Sequence, residues 1–391
     1  MYDNFETIAI RAQQKRTQNR EHSVPLYLTS SYVFDDAEQG RALFAEEEEG
    51  NIYSRFTNPN TEEFATKMAL LEGTEDGFST ATGMSAVFAS MATFLKSGDH
   101  IVASRSVFGN THKVITEVLP EWNIDYSYVR ITDKQSWINA IKPNTKMLFV
   151  ETPSNPALEL IDLEWLGQLA KKHNCLLNVD NCFATPYLQN PAKWGADLVT
   201  HSATKYIDGQ GRVMGGVVLG SKELISKVRT FAKRTGPSLS PFNAWVLSKS
   251  LETLSLRMER HCENALKLAK YLEQHDEVSC VTYPFLASHP NHDIAKKQMK
   301  LGGGLVCFEL DGGVDRGRKF LNALSMISLT ANLGDTRTIA THPASTTHSR
   351  LSEEEREQVC ISPDLVRISC GIEHIDDIQN DIEQAIEKSK N

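Results

Sequence analysis

The stretch Asp197 to Gly211, DLVTHSATKYIDGQG, sets the frame for the whole chain. Leu198, Val199 and Thr200 read as a short buried strand, and Ser202-Ala203-Thr204-Lys205 leaves its end. A glycine-rich loop follows, with Gly209, Gly211, Gly215 and Gly216. Two hydroxyls beside a lysine at a strand end suit a site that holds both a phosphate and a carbonyl. A lysine amine attacks a carbonyl only when unprotonated, and partial burial or cationic neighbours lower its pKa toward that state. A lone lysine is more often an ordinary surface residue, so the rest of the chain must decide.

Working outward, strand-like runs recur at 101–104, 126–131, 147–151, 176–180, 198–200 and 217–219, with helical patterns between them, notably 163–173. Such alternation predicts an α/β fold with a mainly parallel sheet sandwiched by helices. Sites in such sheets form at the carboxyl ends of strands. Asn155, Asp180 and Lys205 all fall at such ends. Ser79 to Ala86, STATGMSA, leads into an apolar helix closed by Gly98, and small residues at a helix start leave N–H groups open to a phosphate. Tyr53 and Arg55 lie on a turn-prone loop, YSRFTNP, within reach of an anion. Asn60 with Glu63 is then expected to cap a helix ending at Gly73.

Residues 1–50 read as an N-terminal arm with too little core of its own, 51–245 as the large domain, and 246–391 as a smaller α+β domain. A nearly unbroken helical pattern over 242–274 joins the last two. Strands at 278–283, 305–310, 325–330 and 365–370 and helices at 317–323 and 375–388 complete the expected small domain. Arg367 lies inside the last strand, LVRISC, where a charge must find a partner or face a cleft.

The 391 residues have ample room for two domains. A formal net charge of −9 argues against a nucleic-acid surface. Seven scattered cysteines without a CxxC favour neither a zinc site nor a disulfide framework and fit a reducing cytoplasm. The N-terminus MYDNFETIAIRAQQKR has no apolar signal core, and no run is long enough to span a membrane.

These parts suit pyridoxal 5'-phosphate, which needs a lysine for its aldehyde, an acid for its ring nitrogen and a phosphate cradle. Along nearly its whole length the chain resembles the Cys/Met-metabolism enzymes of fold-type I pyridoxal-phosphate dependence. The resemblance is carried by Tyr53-Ser-Arg-Phe-Thr-Asn-Pro59, Thr82-Gly-Met-Ser85, Glu151-Thr-Pro-Ser-Asn-Pro156, Val179-Asp-Asn181, Ser202-Ala-Thr-Lys-Tyr206, His342-Pro343 and Arg367-Ile-Ser369. It implies that Lys205 carries the cofactor and serves as the catalytic base, that Asp180 pairs with the ring nitrogen, and that Gly83, Met84, Ser202 and Thr204 hold the phosphate. Tyr53 and Arg55 would reach the phosphate of a neighbouring subunit, with Tyr53 near the proton transfers. The implied assembly is a homo-oligomer, a tetramer built from catalytic dimers. Phe108 would stack on the ring, and Asn155, Arg367 and Asn332 would bind the small-molecule substrate.

Within that family, the ring-stacking motif, often Tyr-Gly-Gly-Thr, reads Phe108-Gly-Asn-Thr111. Phenylalanine stacks but moves no proton. Methionine γ-lyases place Cys where Asn110 stands, and Asn332-Leu-Gly-Asp335-Thr-Arg resembles the sulfhydrylases, as does Ser240-Pro-Phe-Asn-Ala-Trp245. The expected reaction is therefore replacement at the γ-carbon of an O-acylated homoserine, with sulfide displacing succinate. The alternatives are cysteine as the thiol, as in a cystathionine γ-synthase, a lyase, or a non-catalytic descendant of the fold.

Overall fold

A computed structural model describes residues 2–346, 356 and 361–390. The buried apolar runs form a seven-stranded sheet from β1 (Asp76–Thr80), β2 (His100–Ser104), β3 (Asp125–Val129), β4 (Thr145–Glu151), β5 (Leu176–Asp180), β6 (Leu198–Ser202) and β7 (Gly216–Gly220), in the order β1-β7-β6-β5-β4-β2-β3. β2 to β6 run parallel, and β7 and β1 close one edge through antiparallel pairs. β1, with the sequence DGFST, escapes a periodicity reading because Phe78 is its one large apolar residue. Alternate residues of the central strands enter two separate cores. Val199, Val217 and Leu219 pack with helix Pro59–Glu72, whereas Leu198 and Val218 pack with helix Gly83–Ala92.

A second sheet joins β8 (Val278–Thr282), β9 (Leu305–Leu310), β10 (Ser328–Leu329), β11 (Ile339–Thr341) and β12 (Leu365–Ser369), in the order β10-β11-β12-β9-β8. The amphipathic helix Ile375–Lys388 covers it, burying Ile378, Ile382 and Ile386 in its core.

Three local expectations are corrected. The cap of helix Pro59–Glu72 is Asn58, whose side chain accepts the Asn60 N–H at 2.9 Å, with Pro59 at the first helical position. Asn60 and Glu63 instead fasten the arm: Asn60 accepts the Tyr27 N–H and donates to the Pro25 carbonyl, both at 2.8 Å, and Glu63 accepts the Gln14 N–H at 2.9 Å. The helix expected over 242–274 is two, Pro241–Leu251 and Leu254–Leu272. At the break, the Ser250 carbonyl is taken by the Thr253 N–H at 3.2 Å and the Arg257 guanidinium at 3.0 Å, which ends the ladder. The first of these helices spans the expected domain boundary and packs on helix Pro59–Glu72. The strand expected over 325–330 shrinks to Ser328–Leu329, because the N–H groups of Ser325, Met326 and Ile327 go to the Asp381 carboxylate at 2.8–2.9 Å. Among the described residues no helix is long and apolar enough to cross a membrane.

Candidate active site

The carboxyl ends of β4, β5 and β6 lie side by side and deliver Glu151, Asp180 and the turn bearing Lys205 to one place. Helix Gly83–Ala92 begins against that turn. A side chain at Gly83 would meet Ser202 Cβ at 2.5 Å and Oγ at 2.7 Å, so glycine is what allows this approach. Thr82 caps the helix by accepting the Ser85 N–H at 3.0 Å. The N–H groups of Gly83 and Met84, in the first turn, have no intrahelical acceptor, and the helix dipole favours an anion in front of them. The Ser202 and Thr204 hydroxyls stand on the facing turn, Thr204 Oγ1 accepting the Gly215 N–H at 3.2 Å.

Lys205 Nζ donates to Asn332 Oδ1 at 2.7 Å. Burial holds the Lys205 ammonium below the ordinary lysine pKa; the Cys182 thiol opposes this, and the Arg367 charge adds to it. Asn332 is brought there by the next residues. Gly334, with φ of +75°, lies so close that a side chain would meet the Tyr206 nitrogen at 2.6 Å, and its N–H donates to Ser369 Oγ at 2.9 Å. The Thr336 N–H donates to the Gly209 carbonyl at 2.9 Å, stitching this segment to the glycine-rich loop.

Asp180 ends β5 and is buried; its Oδ1 accepts the Cys182 N–H at 3.0 Å. Burial pushes its carboxyl up to about 6, against the pull of that bond and of His201. Arg367, buried in β12, donates from Nη1 to Asn155 Oδ1 at 2.7 Å, while its Nε is buried without a partner among the described residues. An unpaired buried guanidinium N–H is costly, and a carboxylate presented in the plane of the fork would satisfy it. The structure therefore brings together Gly83, Met84, Asn155, Asp180, Ser202, Thr204, Lys205, Asn332 and Arg367. Phe108 stands at the rim, its side chain 43 % exposed.

Tyr53 and Arg55 stand apart. Arg55 lies over the Phe56 and Tyr53 rings, at 4.7 and 5.5 Å, and donates to the Lys233 carbonyl at the end of helix Lys222–Thr235. Tyr53 is 41 % exposed.

Sequence reading passed over Glu151. It ends the strand TKMLFVE as Asp180 ends LLNVD, so the same signal, an acid closing an apolar run, marked both. Glu151 is buried, and its Oε2 accepts the Phe108 N–H at 2.8 Å.

An amine whose pKa burial lowers, a buried acid and an anion cradle one helix start away make this a site of the fold-type I pyridoxal-phosphate enzymes, and the residues present fit that cofactor. The family model for Cys/Met metabolism PLP-dependent enzymes matches residues 6–387. An O-succinylhomoserine sulfhydrylase of Pseudomonas aeruginosa is 47% identical over 98% of this chain and 95% of its own length. An L-methionine gamma-lyase of Fusobacterium nucleatum is 44% identical over 98% of both chains. Among solved structures, a protein of Campylobacter jejuni described as an O-acetylhomoserine (thiol)-lyase superposes with a TM-score of 0.95 at 36% identity, covering 98% of this chain and 100% of its own. That protein carries N'-pyridoxyl-lysine-5'-monophosphate at its position 205. The chain belongs to the Cys/Met metabolism family of pyridoxal-phosphate-dependent enzymes.

Proposed function

We propose that the protein is an O-succinylhomoserine sulfhydrylase, which replaces the succinate of O-succinyl-L-homoserine with sulfide to give L-homocysteine. The observation that carries this reading is the pair of Phe108 at the rim and Lys205 within. Phe108 has no proton to give, which leaves the Lys205 amine to move protons there. Succinate departs as a carboxylate whose conjugate acid has a pKa of roughly 4, so it needs no general acid. A thiolate expelled from methionine is far more basic, with thiol pKa values of about 8.5 or higher, and benefits from a proton donor.

Pyridoxal phosphate, when bound, supplies an electron sink that acidifies the substrate protons α and β to the amino group. Lys205 would hold the cofactor, and its Nζ, when free, would remove and return those protons. Asn332 steers that amine through the 2.7 Å bond. Asp180 keeps the ring nitrogen protonated, and Phe108 covers the ring. Gly83, Met84, Ser202 and Thr204 hold the phosphate. Arg367, steadied by Asn155, clamps the substrate carboxylate. Loss of the β-proton breaks the γ-carbon–oxygen bond and releases succinate; sulfide then forms the new carbon–sulfur bond, and the protons return. Tyr53 and Arg55 from a second copy complete the phosphate site in an assembly of catalytic dimers paired into a tetramer. The exposed Leu28, Val33 and Phe44 of the arm support such contacts.

A second reading, L-methionine γ-lyase, is favoured by the 44% identity to the Fusobacterium nucleatum enzyme. A product analysis separates the two. Purified enzyme is given O-succinyl- or O-acetyl-homoserine with sulfide and cysteine in equal amounts, or L-methionine alone. Homocysteine from the succinyl ester as the dominant product is expected. Methanethiol and 2-oxobutanoate from methionine at a comparable rate would make it a lyase, and cystathionine would make cysteine the thiol.

A further inference from the structure

Glu151 and Asp180 are register neighbours at the ends of two parallel strands, so their side chains leave the same face roughly 5 Å apart. Both are buried. Glu151 Oε2 holds the N–H of Phe108 at 2.8 Å, and Phe108 opens the short helix Gly109–Lys113 without a side-chain cap of its own. A carboxyl that the proposed reaction does not call on thus holds the backbone N–H of Phe108, the residue placed over the ring. The groups acting on Glu151 are Asp180, Arg367 and the Cys182 thiol. Burial and the Asp180 charge drive Glu151 well toward its protonated form, against the Phe108 N–H and Arg367, whose Nη1 is engaged by Asn155. Two adjacent buried carboxyls resist ionising together. A protonated ring nitrogen requires Asp180 to be the one that does.

We propose that Glu151 is a positioning residue that works as a neutral acid. One oxygen accepts from the Phe108 N–H and the other carries the proton, which leaves Asp180 the single anion beside the ring. This rests on the roles given above to Asp180 and Phe108.

The test compares Glu151→Gln and Glu151→Ala as holoenzymes. Glutamine keeps the neutral acceptor; alanine removes it. Glu151→Ala should raise the substrate KM and the cofactor dissociation constant about tenfold, the scale of one lost buried hydrogen bond. Glu151→Gln should rescue both to within about threefold of the parent. The pH midpoint of the visible cofactor band should match the parent in the glutamine variant, because one neutral group replaces another. In a Phe108→Ala background the cost of Glu151→Ala should shrink, as expected of coupled residues. A glutamine variant as impaired as the alanine one, or a midpoint displaced by about one pH unit, would show that Glu151 acts as an anion. Parent-like constants for Glu151→Ala would remove the positioning role. Asp180→Asn is the separate check on the underlying site: if it binds the cofactor as the parent does, the roles of Asp180 and Glu151 both fall.

Discussion

Two regions of the large sheet treat buried charge in opposite ways. Under helix Pro59–Glu72, buried acids have basic side chains beside them. Lys67, fully buried, has Glu63 at 3.3 Å and Glu252 at 3.9 Å, and His201 Nε2 meets Glu72 Oε2 at 2.7 Å. At the carboxyl edge, no such pairing exists among the described residues. Lys205 has an amide oxygen, Asp180 one backbone N–H, Arg367 an amide oxygen and an idle Nε, and two acids stand side by side. The first region sets each buried acid beside a basic side chain of the protein itself, although Lys67 Nζ has those acids only as ion-pair neighbours and makes no hydrogen bond among the described residues. The second leaves charges unsatisfied, which costs stability, and a ligand with a phosphate, a ring nitrogen and a carboxylate would satisfy them.

Exchanging the two lysines breaks this contrast most sharply. Lys205→Ala should abolish the visible cofactor band and lower turnover by at least ~10³-fold, as expected for a lost nucleophile and base. Substantial turnover in that variant would sink the assignment. Lys67→Met should keep the band yet lower unfolding stability by ~3–5 kcal/mol, because Glu63 is left buried and unpaired; a denaturant midpoint equal to the parent's would contradict the pairing. Arg367→Ala should cost ~2–5 kcal/mol, read mainly as a raised substrate KM. Unchanged substrate affinity would take Arg367 out of the clamp.

The smallest effect is one of pH. Burial raises the Asp180 carboxyl in the folded protein from 3.8 to about 6. Between those values the folded chain holds a proton that the unfolded chain has lost. Stability of the cofactor-free protein should therefore rise, from this group, as pH falls from about 6 toward 3.8. Asp180→Asn should flatten that slope in a series of melting curves. A slope indifferent to the substitution would mean that Asp180 is solvated rather than strained.

Much of this edge was legible in the sequence because strand ends carry their chemistry locally. Lys205, Asp180 and Asn155 each follow an apolar run, and parallel alternation places such ends together. What stayed hidden depends on partners distant in the chain. The N–H groups of Ser325 to Ile327 follow Asp381 rather than a sheet, and no local pattern reports that. Asn60 fits a cap by type and position, yet its side chain secures the arm at Tyr27 and Pro25. Glu151 carried the same strand-end signal as Asp180, but its meaning lies in the Phe108 amide 43 residues away. Tyr53 and Arg55 sit away from the Lys205 turn, with Arg55 against the end of helix Lys222–Thr235.

Borohydride reduction of the purified holoenzyme, followed by peptide mass mapping, tests the central claim most directly, because it fixes the cofactor to whichever amine holds it. One pyridoxyl phosphate per chain is expected, on the peptide containing Lys205. The label on Lys67 or another lysine, with Lys205 unmodified, would contradict it.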